Sequence, residues 1–142
     1  MKTLKSLVLG LALVIVANIA KADEPVPAVK LTKNYAVEAY VNSATLGQNT
    51  ELASVIEDNA KFNILRGKAV MSFTKADLIK HADENKDVRQ DCATTVSEVE
   101  SNDDMSIVKV DMKYSNFTRT NYVTIANTGD GWKITNVYSV FK

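Results

Sequence analysis

Residues 117–142 limit the fold of this chain more than any other stretch. Two runs rich in β-branched and aromatic residues flank the turn cluster Asn127-Thr128-Gly129-Asp130-Gly131, and that arrangement predicts a β-hairpin. Side chains alternate across a strand, so Val123 and Ile125 share one face with Arg119 and Asn121. In the second run the same parity puts Trp132, Ile134, Tyr138 and Val140 on one face with Asn136. A hairpin that only closed a core has no use for Arg119, Asn121 and Asn136 there, because a buried polar group needs a partner. The pattern therefore predicts a partly polar cavity beneath the sheet.

The chain has 142 residues, enough for one domain with a core of its own. Lys2 and Lys5 precede an apolar run over residues 7–20, broken by Asn18, and Ala20-Lys21-Ala22 supplies the small residues a signal peptidase reads. The run is shorter than the roughly 20 residues a spanning helix needs. Residues 1–22 are thus expected to be a cleaved signal peptide, and the protein to be exported to a bacterial periplasm or secreted. The remaining residues carry 14 basic against 17 acidic side chains, a net charge of −3. That balance points away from nucleic acid and, after cleavage, from a membrane surface. Cys92 is the only cysteine, so no internal disulfide is possible and a buried structural thiol is the expectation.

Both prolines, Pro25 and Pro27, fall in residues 23–30, which read as an extended leader to a single domain over 31–142. Ala36, Val37, Tyr40, Val41 and Ala44 recur at helical spacing, and Gly47 stands where a helix stop belongs. A shorter helix capped by Asn49 or Thr50 is expected to run to about Glu57, then a strand over 60–66 and a short strand over 69–73. Thr74-Lys75-Ala76-Asp77 has the form of a capping box, and a third helix follows it, burying Leu78, Ile79 and Ala82. Residues 83–91 read as an exposed, charged connection. Residues 92–101 and 105–115 then read as two strands around Asn102-Asp103-Asp104. Helices at the front and strands at the back predict an α+β fold, with helices packed on one face of a curved antiparallel sheet.

This order of elements, with Phe117-Thr118-Arg119-Thr120-Asn121-Tyr122-Val123-Thr124-Ile125 and Trp132-Lys133-Ile134-Thr135-Asn136-Val137, resembles the nuclear transport factor 2-like superfamily. The resemblance is closest to its small bacterial proteins labelled putative lumazine-binding, and it covers nearly all of the chain after the leader. It implies a cone in which a strongly bent sheet wraps the first helix and leaves a pocket. Those relatives carry an Asp-Tyr pair where this chain has Asn121-Tyr122. The ketosteroid isomerases of the same superfamily follow the second helix with an acid-rich pattern whose Asp before a Pro is the proton-transfer base. Aligning Asp58-Asn59-Ala60 and Gly67 with that pattern puts Ile64 at the base and Leu65 at the Pro. Ile64 cannot move a proton. Tyr40 sits roughly where the isomerase tyrosine donates to an oxyanion.

Other chemistry finds little footing. His81 is the single histidine, five glycines leave no phosphate-cradling loop, and neither a nucleophile signature nor a cofactor motif is present. What remains is a set that parity assigns to one side of the sheet or to the facing helix: Tyr40, Met112, Tyr114, Arg119, Asn121, Trp132, Asn136 and Tyr138. An apolar hollow with a few convergent polar groups suits a small organic ligand. In that set Arg119 and Asn121 are placed to orient a carboxylate or carbonyl, and Trp132 and Tyr138 to pack a flat or hydrophobic body. The alternative is that Trp132, Tyr138 and Met112 fill the cone while Arg119 reaches to its rim. The leading expectation is an exported, non-catalytic small-molecule binding or interaction module. A cavity-based hydrolase, lyase or isomerase of the same superfamily stands second, the first two drawing on Asp111 or another carboxylate near the rim such as Glu98. A homodimer stands third, paired through Thr118, Thr120, Tyr122 and Thr124 beside Thr135, Val137 and Phe141.

Overall fold

A computed structural model describes residues 24–142, so the signal-peptide segment lies outside the described residues. After a 3-10 turn at Ala28–Leu31 comes helix α1, Lys33–Leu46. Thr32 caps it by accepting from the Tyr35 N–H at 3.2 Å. Gly47 ends it with φ 66°, and a Cβ there would sit 2.6 Å from the Asn85 carbonyl oxygen and the Asp87 nitrogen. The face Ala36, Ala39 and Tyr40 is buried, and the two alanines let the helix lie close on the sheet.

Strand β1, Ile56–Arg66, and β2, Ala69–Thr74, form a hairpin through Gly67. Helix α2, Lys75–Glu84, follows, opened by the reciprocal box in which the Thr74 hydroxyl accepts from the Asp77 N–H and the Asp77 carboxylate accepts from the Thr74 N–H. Four consecutive strands then meander: β3 Ala93–Ser101, β4 Met105–Lys113, β5 Thr118–Thr128 and β6 Gly131–Phe141. The sheet order is β2-β1-β6-β5-β4-β3. Every neighbouring pair is antiparallel except β1 and β6, which run parallel because α2 carries the chain from one edge of the sheet to the other before the meander returns. The core gathers Tyr40, Leu52, Ile56, Phe62, Val110, Met112, Val123, Ile125, Ile134 and Val137 between α1 and the inner sheet face.

The structure departs from the expected elements in four places. The second helix is a single 3-10 turn, Ala53–Val55, and β1 begins at Ile56. Asn49 does not cap it, because its side chain bridges the two helices, accepting from Ser43 Oγ and donating to the Ala82 carbonyl, each at 2.6 Å. The charged connection is docked rather than free: Asp87 N donates to the Gly47 carbonyl at 3.0 Å and Gln90 N to the Thr45 carbonyl at 2.7 Å. Cys92 is half-buried, its sulfur 3.8 Å from Thr94 Oγ1.

The fourth departure matters most for the site. The β5–β6 register pairs Ile125 with Ile134 but Thr124 with Asn136, so Thr135 is an extra residue in β6. Such a bulge shifts side-chain parity by one. Beyond it Val137 and Ser139 face inward and are buried, while Asn136, Tyr138 and Val140 face outward. The outer face of the central strands therefore carries Thr120, Tyr122, Thr124, Asn136, Tyr138 and Val140, and not Val137 or Phe141.

Candidate functional site

Between α1, α2, β1, β2 and β6, at the end of the sheet away from the β5–β6 turn, lies a cavity of about 490 Å³. Its apolar walls come from Leu52, Phe62, Ile64, Leu78 and Val137. These follow from local pattern: Phe62 and Ile64 alternate on β1, and Leu78 lies on the sheet-facing side of α2. Polar groups enter from Tyr40 and Ser43 on α1, Gln90 and Tyr114, and Arg119 and Ser139 on the ends of β5 and β6. Asp77, Lys80, His81 and Glu84 line the α2 side.

Arg119 is the centre of the polar part. Its Nε donates to Asn121 Oδ1 at 3.0 Å, and its Nη2 lies 3.4 Å from Ser139 Oγ. Ser139 in turn donates to the same Asn121 oxygen at 2.6 Å. Asn121 is fully buried, and its Nδ2 makes only long contacts, 3.5 Å each, to the Val110 carbonyl and to Met112 Sδ. None of these partners is charged, and among the described residues Arg119 forms no ion pair with a carboxylate. The Phe141 ring lies 5.8 Å from the guanidinium.

Tyr40 is buried yet lines the cavity. Burial pushes its phenol above the usual tyrosine value, and the nearby Arg119 charge acts in the opposite direction. Burial also raises the Tyr114 phenol, with a smaller push from Cys92, and the Tyr114 hydroxyl donates to Gln90 Oε1 at 3.0 Å. The Asp77 carboxyl is held below its ordinary value chiefly by the Thr74 backbone N–H.

Of the eight residues that sequence parity grouped, Tyr40, Tyr114 and Arg119 line the cavity. Met112 and Asn121 lie buried directly behind it. Trp132 is at the far end of the sheet, under the Lys33 ammonium at 5.7 Å. Asn136 and Tyr138 are on the opposite face because of the Thr135 bulge, and Asn136 Oδ1 accepts there from Asn63 Nδ2 at 3.0 Å. Ser139 takes the place beside Asn121 that parity had given to its neighbours. Gln90 and Leu78 were also missed as site residues, the first because it sits in a charged run and the second because its helix read as plain core. Asp111 faces outward, accepting from Thr120 Oγ1 at 2.6 Å and pairing with Lys109. Glu98 is bound by Lys33 at 2.5 Å, away from the cavity.

Residues 31–139 match the family model described as "Putative lumazine-binding", and the chain belongs to that family. No curated protein matches the chain significantly. Among solved structures, a nuclear transport factor 2-like protein of unknown function from Silicibacter pomeroyi superposes with a TM-score of 0.61 at 17% identity, over 77% of this chain and 90% of that one. One from Shewanella baltica gives 0.63 at 9% identity, over 75% and 88%. One from Rhodospirillum rubrum, described as of unknown function in nutrient uptake, gives 0.56 at 17% identity, over 75% and 95%. At these identities the likeness shows the fold: α+β, with a six-stranded curled sheet of the nuclear transport factor 2-like kind.

Proposed function

We propose that this family member is an exported, non-catalytic module that binds a small organic molecule in the cavity beside Arg119. The observation that carries the reading is a hollow of about 490 Å³ whose walls are mostly apolar but which holds an arginine without a carboxylate partner. The family description adds to it by naming a flat heteroaromatic compound, which belongs among the ligands tested. The side chains argue against acid-base chemistry here. Ile64 stands in the wall where the resemblance puts a base, and no described carboxylate bonds to Tyr40 or Arg119. Asp77, the acid nearest to having a role, is already held by both donors of Thr74.

Thermal-shift screening of a chemically diverse library that includes lumazine, with native mass spectrometry of gently purified protein, tests the reading. A saturable shift with a retained mass supports it, and no shift and no mass across the library refutes it. Export is supported by the pattern of residues 1–22, and amino-terminal analysis of protein from the periplasmic fraction should find Asp23 first. Self-association is a second proposal, favoured by Tyr122, Tyr138 and Val140 lying together on the outer face of the central strands. Sedimentation showing only monomer at micromolar concentration would sink it.

A further inference from the structure

The Tyr40 hydroxyl is the feature the fold leaves unexplained. The residue is 4% exposed, and among the described residues its hydroxyl makes no hydrogen bond. Buried tyrosine hydroxyls ordinarily find a partner, because an unmet O–H is costly in a medium of low polarity. This one is not sealed away: it borders the cavity, so its missing acceptor has to come from whatever occupies that space.

Arg119 makes a second, independent demand on the same space. Two of the five N–H donors of a guanidinium are engaged, one by Asn121 and one by Ser139, and neither acceptor brings negative charge. Arg119 and Tyr40 line the same cavity, so the two donors face one space. A group that accepts from both and supplies the missing charge is an oxyanion.

The rest of the wall selects among oxyanions. Lys80 and His81 line the α2 side, but Asp77 and Glu84 stand with them, so the cavity is not strongly positive and would disfavour a phosphate dianion. A planar carboxylate matches the fork of an arginine. Leu52, Phe62, Ile64 and Val137 offer nothing to a second polar group.

We propose that the cavity takes a small monocarboxylate, its carboxylate held jointly by the Arg119 guanidinium and the Tyr40 hydroxyl, its alkyl or aryl body lying along Phe62, Ile64 and Val137. The inference rests on the small-molecule reading of the cavity and specifies the chemical class of its ligand.

The test is calorimetric titration of the purified protein with hexanoate and phenylacetate, against hexanamide, phenylacetamide and inorganic phosphate. At least one acid should bind, with its amide and phosphate weaker by about tenfold or more. Arg119→Gln and Tyr40→Phe should each weaken the acid by about tenfold or more. Tyr40→Phe guards against a folding artefact: it removes a hydroxyl that bonds nothing in the protein, so the melting temperature without ligand should hold or rise. Amides binding as tightly as acids, or acid affinity unmoved by both substitutions, would overturn the proposal while leaving the broader binding reading to the library screen. Failure of both acids to bind would overturn it as well, and the screen would decide the broader reading separately.

Discussion

Replacing Asn121 by Asp changes one atom of the polar network and reverses its electrostatics. In the present chain the Asn121 oxygen accepts from Arg119 Nε at 3.0 Å and from Ser139 Oγ at 2.6 Å without adding charge, so the arginine faces the cavity as an uncompensated cation. A carboxylate there would keep both hydrogen bonds and turn the first into an ion pair. The pair would then hold no net charge, and a bound carboxylate would meet a second carboxylate across the guanidinium. With the Arg119 Nε bond at 3.0 Å, a similar bond on the far side and the width of the guanidinium between them, the two anions would lie about 7 Å apart. At an effective dielectric constant of about 20 that repulsion is about 2.4 kcal/mol, or roughly fiftyfold in affinity.

The folded state should register the same substitution weakly, because its effects oppose one another. The new carboxylate gains a charge-assisted bond. It also carries the desolvation cost of a site with no exposure, and it loses the Nδ2 contacts to the Val110 carbonyl and Met112 Sδ, both long at 3.5 Å. The net change in unfolding free energy should stay within about 2 kcal/mol. The assay pairs urea unfolding with titration of hexanoate into the wild type and Asn121→Asp. A variant that folds normally and still binds the acid within about threefold of the wild type would refute the reasoning, since the free charge of Arg119 would then not be what holds the anion.

Other outcomes follow from the framework. Thr74→Ala removes the cap of α2 and should cost about 1 kcal/mol in urea unfolding. The Asp77 carboxyl is held below its unfolded value of 3.8 by the Thr74 N–H, so its contribution is complete above that value and is lost as pH falls through the lower folded value. Asp77→Asn should therefore flatten the acid limb of the stability profile below about pH 4, and an unchanged limb would remove Asp77 from the account. Gly47→Ala forces a side chain onto φ 66° and into the Asn85, Asp87 and Val88 backbone, and should cost at least about 2 kcal/mol, with faster amide exchange at Asp87 and Gln90. Deleting Thr135 would straighten β6 and drive Asn136 and Tyr138 inward, so the near-ultraviolet circular dichroism signature of Trp132 should collapse.

What could be read in advance was what neighbouring residues decide among themselves. Thr32 and Gly47 bracket α1, Thr74 and Asp77 box the start of α2, and the residues around Gly129 turn the last hairpin, each through contacts within a few positions. What escaped depends on pieces distant in sequence. Asn49 looked like a cap, but the carbonyl of Ala82 claims its side chain. Residues 83–91 looked solvated, but the end of α1 offers the Gly47 and Thr45 carbonyls to their backbone.

Thr135 is the case that decides the site. Nothing in Trp132-Lys133-Ile134-Thr135-Asn136-Val137 marks it as an extra residue, since a threonine suits either face of a strand. Parity holds along β5, so Arg119 and Asn121 share a face and bond to one another, while on β6 it fails midway and exchanges Asn136 and Tyr138 for Val137 and Ser139. That exchange changes the character of the site as well as its membership. A row of amides and phenols spread along the hairpin would suit a ligand with several polar groups. The structure instead places Arg119 at one end, where Asn121 and Ser139 hold it without neutralising it, and sets Val137 and Phe62 as an apolar wall beside it. An arginine with no carboxylate partner among the described residues, a hydroxyl open to the cavity and an apolar wall beside them describe a ligand with a charged end.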